Sequence, residues 1–176
     1  MPPITFCNTD DFKDSNGNLA INIPKFALAL FWSSNCKYCE SAKHILSNMN
    51  QQINGCSFAM CNLDTNREMI QLCNNAGIAL EHVPFFVFFA NKSPYMIYAG
   101  PIAQDQLTRF VIEVSTQYHK ENAKKTNTTT SIKDIGENTQ VADSCNVGDI
   151  ACQEKAKSTF NSSYCTLKEA YANNRK

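Results

Sequence analysis

The chain has 176 residues, 43% of them hydrophobic and eleven of them Phe, enough for one folded domain or for a domain with an appendage. Sixteen basic residues balance sixteen acidic ones, so the charge points to no nucleic acid and no anionic membrane surface, and proteins are the partners it suits. No apolar run approaches a membrane span, and Met1-Pro2-Pro3-Ile4-Thr5 lacks the basic start and apolar core of a secretory signal; the expected compartment is the cytosol, where most of the nine cysteines stay reduced.

Ile4 to Cys7 reads as a short first strand. Asp10 to Asn18 is polar and ends in an Asn16-Gly17 turn signal. Leu19 to Ile23 alternates apolar with polar and reads either as an extra strand or as an approach segment. Pro24 restricts Ile23 and marks the entrance to Phe26 to Trp32, an unbroken apolar run with the length of one fully buried strand.

Three small polar residues then lead into Cys36 and Cys39. After them Tyr38, Ala42, Ile45, Leu46, Met49 and Ile53 recur at three and four spacing, which predicts a helix with Cys36 at its first turn. Cys56 to Leu63 predicts the next strand, parallel to the central one because a helix separates them. Met69, Ile70, Cys73 and Ala76 stripe a second helix that stops at Gly77. Pro84 precedes the apolar strand Phe85 to Ala90; Asn91 to Pro94 reads as a hairpin turn and Tyr95 to Ala99 as the edge strand. Leu107, Phe110, Val111, Val114 and Tyr118 form one face of a final helix. The class is α/β, a central mixed sheet of four to five strands flanked by helices.

A strand feeding a Cys-x-x-Cys turn and a helix is a redox context. Unpaired N–H groups and the partial positive charge of a helix start favour a thiolate by roughly 0.3–1 kcal/mol, and Lys37 adds a cation beside Cys36. Cys36 is thus the expected nucleophile, and Cys39, one turn on, the thiol that resolves the mixed disulfide. A structural zinc site needs four ligands. Only one such pair is present, and His44, His82 and His119 show no ligand spacing, so no metal and no organic cofactor is expected.

Phe31-Trp32 followed by Cys36-Lys37-Tyr38-Cys39 resembles the thioredoxin family's Phe-Trp and Cys-x-x-Cys. Asn62-Leu63-Asp64 resembles the end of that family's third strand. Gly77-Ile78 before Val83-Pro84 is similar to its loop into a cis-proline, and Gly100, Gln106-Leu107 and Phe110-Val111 are similar to its closing glycine and helix. The resemblance covers roughly residues 1–120. It implies a thioredoxin-like fold and thiol-disulfide exchange on protein disulfides, with an electron donor or acceptor as a further partner. It also implies that Trp32 shields the thiols rather than serving only as core, that Lys37-Tyr38 tunes the potential, and that Val83 offers its backbone to an extended substrate beside a cis Pro84. One departure is Leu30, where the family buries an aspartate that takes the resolving thiol's proton; a water, Glu81 or His82 is left for that role. The competing reading is a non-catalytic protein-binding module that keeps the fold.

Beyond residue 120 the composition turns polar. Lys124 to Thr130 reads as a flexible linker, and residues 121–176 as a flexible, cysteine-containing tail too polar for a core of its own. On a continuous helix Cys145 and Cys152 would stand roughly 10 Å apart, too far to bridge, but Gly148 between them argues for a bent loop. The tail carries either a second dithiol that exchanges with Cys36 or incidental cysteines. Twenty asparagines suggest an AT-rich coding genome such as a protist's or a large DNA virus's, and for the latter a virus particle or host cytoplasm is the expected location.

Overall fold

A computed structural model describes residues 3–126, 141–159 and 163–172. Strand β1 (Thr5–Cys7) leads through a single 3₁₀ turn (Thr9–Phe12) toward β2 (Phe26–Trp32). Then follow α1 (Lys37–Gln52), β3 (Cys56–Asn62), α2 (Glu68–Asn75), β4 (His82–Val83), β5 (Phe85–Ala90), β6 (Ser93–Tyr98) and α3 (Gln104–Thr126). After residue 140 come β7 (Ser144–Asn146), α4 (Ile150–Thr159), β8 (Cys165–Thr166) and α5 (Leu167–Ala172).

The main sheet runs β1-β3-β2-β5-β6-β7. β1, β3 and β2 are mutually parallel, as a helical crossover requires, whereas β5, β6 and β7 alternate in direction. β2 lies at the centre because both of its faces are apolar. Phe26, Leu28 and Leu30 pack under α1 and α3, with Ala42, Leu46, Met49, Leu107 and Phe110. Ala27, Ala29 and Phe31 face the opposite layer, with Phe12, Met69, Cys73, Leu167 and Ala170. Leu30 is fully buried on the α1/α3 side. This is an α/β arrangement, a mixed multi-strand sheet flanked by helices, as the sequence predicts.

Several expectations change. Leu19 to Ile23 is an approach segment and no strand of the sheet: Leu19 forms an isolated bridge with Lys13, and the Ile21 N–H donates to the Lys92 carbonyl at 2.8 Å, in the turn between β5 and β6. β6 is not an edge: Met96, Ile97 and Tyr98 pair with Asn146, Cys145 and Ser144 of β7, which adds a sixth strand. The first three residues of the expected linker are the last of α3, and its remainder lies outside the described residues.

The described part of the C-terminal segment is also not a loose tail. It docks by polar anchors rather than by a long apolar stripe. The side chain of Gln153, only 5% exposed, accepts from the Ala79 N–H at 2.7 Å and donates to the Gly77 carbonyl at 3.0 Å. The Tyr164 hydroxyl donates to the Gly100 carbonyl at 2.7 Å, and the Tyr171 hydroxyl to the Leu63 carbonyl at 3.1 Å beneath the Arg67 guanidinium. Cys145 and Cys152 are bridged by a disulfide, their Cα atoms 5.7 Å apart; Gly148, at φ +90°, bends the chain between them where a continuous helix would have held them apart. Among the described residues no helix is long and apolar enough to cross a membrane.

Candidate functional site

The site sits where β2 ends. Residues 33–35 leave the strand and turn into α1, and Asp64, just past β3, holds that turn. Its carboxylate accepts from the Ser33 hydroxyl at 2.6 Å, from the Ser34 backbone N–H at 2.8 Å and from the Ser34 hydroxyl. Partial burial works against its charge, but the two serines and the nearby Arg67 outweigh it and hold Asp64 below the usual carboxylate value. The sequence marked Asp64 only as the end of a strand. Its partners lie 30 and 31 residues away, beyond any local pattern.

That turn delivers Cys36 as the N-cap of α1, with extended backbone (φ −104°, ψ 112°), 2% exposed. Its thiol faces the Val83 carbonyl at 3.4 Å. Cys39, one turn on, is fully buried. The hydrogen bond from Cys39 lowers the Cys36 pKa to about 6 against the opposing effect of burial, helped by Cys165 and by the backbone N–H groups of Tyr38 and Cys39. The same hydrogen bond, together with burial, pushes Cys39 far up. The two thiols are therefore driven apart, one toward thiolate and the other toward thiol.

The Lys37 ammonium stands 4.9 Å from the centre of the Tyr38 ring. Trp32 is half-buried and packs against both core layers, with the Lys43 ammonium 4.1 Å over its ring; its indole N–H is buried with no hydrogen-bond partner among the described residues. The Val83–Pro84 peptide is cis, and Val83 is buried beside the thiols.

Sequence reasoning missed the third sulfur. Cys165 lies opposite Val83 across the antiparallel pair β4/β8, within hydrogen-bonding reach of Cys36. Burial and that contact raise its own pKa to about 11. Of the other tail cysteines, Cys145 on β7 and Cys152 on α4 bridge each other on the far side of the sheet's order. The remaining free thiols, Cys7, Cys56, Cys61 and Cys73, are core residues, pushed up to about 11 or 12 chiefly by burial. Among the described residues no group of three or more His, Cys, Asp or Glu is placed to hold a metal ion.

The family described as TraF, F plasmid transfer operon protein, matches residues 13–112, more than half of the chain. The chain belongs to this family. The match spans the Cys36/Cys39 turn, the Asp64 anchor and Val83-Pro84, and stops within α3. A curated relative, uncharacterized protein 196R of Invertebrate iridescent virus 6, is 28% identical over 95 residues, 54% of this chain and 55% of the relative. The chain thus spans about half the length of the curated relative that it matches. Among solved structures, a thioredoxin of Malassezia sympodialis (Mala s 13) has 19% identity and TM-score 0.49, over 65% of this chain and 96% of that one. Human ERp44 has 16% identity and TM-score 0.49, over 64% of this chain and 29% of that one.

Proposed function

We propose that this TraF-family chain is a thiol-disulfide oxidoreductase acting on protein disulfides through Cys36, with Cys39 as the resolving thiol. The observation that carries the reading is the placement of Cys36 at the N-cap of α1, against the Val83 carbonyl, with a second buried thiol one turn away. The Cys36 thiolate attacks one sulfur of a substrate disulfide. The substrate S–S bond breaks, its other sulfur leaves as a thiolate and takes up a proton, and a Cys36–substrate disulfide forms. Cys39 then gives up its proton and attacks the Cys36 sulfur. A Cys36–Cys39 disulfide forms, the second substrate thiol departs, and two electrons have passed to the substrate. Run backwards, the same steps oxidise a dithiol.

Val83 and Pro84 are the substrate-docking residues in this reading, because a buried strand terminus beside the nucleophile presents backbone groups to an extended segment. Trp32 walls the thiols, and Tyr38, half-buried at the start of α1, shapes the approach. Leu30, fully buried, favours the second reading, a protein-binding module without turnover, since it is apolar where the thioredoxin family that the chain resembles buries an acid. Reduction of a model protein disulfide such as insulin separates the two. The wild type reduces it under a dithiol donor and Cys36→Ser does not; equal rates for both, at the uncatalysed level, would leave only the binding module.

A further inference from the structure

The two-residue strand β4 belongs to no main-sheet ladder, and β8 is its partner, with Val83 opposite Cys165 and His82 opposite Thr166. This is the edge where the proposed function places an extended substrate, and the chain's own C-terminal segment lies on it. The placement is held from both sides. Before the strand, the Tyr164 ring packs edge-on to His82 with centroids 4.6 Å apart, and its hydroxyl holds the Gly100 carbonyl. After it, the Leu167 N–H donates to the Glu81 carbonyl at 2.9 Å. Thr166 and Glu169 form a capping box, each side chain accepting from the other's backbone N–H, so that α5 starts at once and buries Leu167 and Ala170 against the core. A two-residue strand fixed at both ends is a register device. What it registers is a sulfur: Cys165 reaches Cys36, whose thiol already lies 3.4 Å from the carbonyl of Cys165's strand partner.

We propose that β8 is a built-in substrate mimic and Cys165 a third redox thiol, so that the oxidised site interconverts between a Cys36–Cys39 and a Cys36–Cys165 disulfide, the second of which latches the C-terminal segment over the nucleophile. The inference rests on the proposed function, which supplies the Cys36–Cys39 disulfide. The step is an isomerisation and needs no further oxidant. The Cys165 sulfur attacks Cys36, the Cys36–Cys39 bond breaks, a Cys36–Cys165 bond forms, and Cys39 leaves and takes the proton that Cys165 gave up. Attack by Cys39 on Cys36 reverses it. An external protein disulfide must displace β8 before it can pair with Val83, so the latch selects for segments able to compete for that edge.

The test uses the full chain with Cys39→Ser, treated with stoichiometric oxidised glutathione, then alkylated, digested without reduction and mapped by mass spectrometry. Glutathione first caps Cys36; Cys165 then attacks Cys36 and releases reduced glutathione. Because a tethered thiol acts at about millimolar effective concentration, the linked Cys36–Cys165 peptide is expected in at least about tenfold excess over glutathionylated Cys36, in monomeric protein. Adding Cys165→Ser leaves Cys36 glutathionylated. Persistent glutathionylation of Cys36 with Cys165 alkylated would overturn the latch. Should Cys39→Ser fail to fold, wild-type protein oxidised and acid-quenched is mapped instead: both linkages are expected, and Cys36–Cys39 alone overturns the proposal. If insulin reduction is present in the wild type while either overturning result is seen, the latch fails and the oxidoreductase stands. If reduction is absent in both the wild type and Cys165→Ser, the oxidoreductase reading fails.

Discussion

Val83 and Cys165 are strand partners, and the carbonyl of Val83 also receives the Cys36 thiol at 3.4 Å. One backbone position thus fixes both the nucleophile and the segment that covers it, and the chemistry of the site follows from how those groups share protons.

Cys36 should be a thiolate near neutrality. With its pKa lowered to about 6, its alkylation by a small reagent in the fully reduced wild type should rise about tenfold per pH unit below that value and level off above pH 7; Cys165→Ser, which removes one of the lowering groups, should move the curve to higher pH. Cys7, Cys56, Cys61 and Cys73 should stay slow until the chain unfolds, because burial holds them as thiols. The same shift sets a stability slope. Folded Cys36 holds fewer protons than unfolded Cys36 between its lowered value and the ordinary 9.0, so the reduced protein gains stability from this group as pH rises through that window and loses it as pH falls through about 6. Urea unfolding of reduced protein at pH 5.5 and 8 measures it.

Asp64→Ala should loosen the turn that delivers Cys36. Removing the acceptor of Ser33 and Ser34 is expected to cost about 1–2 kcal/mol in urea unfolding, and insulin reduction should fall. The contribution also depends on pH. Asp64 sits below the ordinary 3.8, so its stabilisation is complete above that pH and lost as pH falls through the folded value. Asp64→Ala should therefore flatten the acid limb of the stability curve.

Much of this was legible in the sequence where a local pattern exists. Phe26 to Trp32, the spacing of Cys36 and Cys39, and the stripe through Leu46 and Met49 each give their element without outside information. The C-terminal segment was not legible for a physical reason. β7 and β8 are three and two residues long, too short to show a period of two, and the segment docks through isolated side chains such as Gln153, Tyr164 and Tyr171. Composition rated it polar, and it is polar; hydrogen bonds to the backbone of Leu63, Gly77, Ala79 and Gly100 hold it there. Asp64 was invisible for the related reason that its partners are far away in sequence.

The Cys145–Cys152 disulfide closes a short loop, seven residues apart in sequence. Loop-closure entropy for such a ring is about 2.5 kcal/mol. The double variant Cys145→Ser/Cys152→Ser should therefore lose about that much stability, and proteolysis should cut the segment between β7 and α5 faster, as limited digestion followed by intact mass would show.

Gly77 should tolerate no side chain. It sits at φ +77°, and a Cβ there would lie 2.9 Å from the Gly148 Cα, whose own N–H donates to the Gly77 carbonyl. Gly77→Ala is expected to cost about 1–2 kcal/mol from backbone conformation alone, and the clash should push α4 off the loop. Faster amide exchange at Gly148 and Ala79 would register this.

The most direct test of the account is a redox titration of Cys165→Ser, in which Cys36 and Cys39 stand alone. The chain is equilibrated in glutathione buffers of graded poise, quenched in acid and mapped by mass spectrometry. Cys36 and Cys39 are expected to leave the thiol pool together as one linked peptide, in a single two-electron transition of about 30 mV per tenfold change, with a midpoint between about −270 and −120 mV. Cys36 ending as a glutathione adduct with Cys39 still a thiol, at every poise, would contradict it.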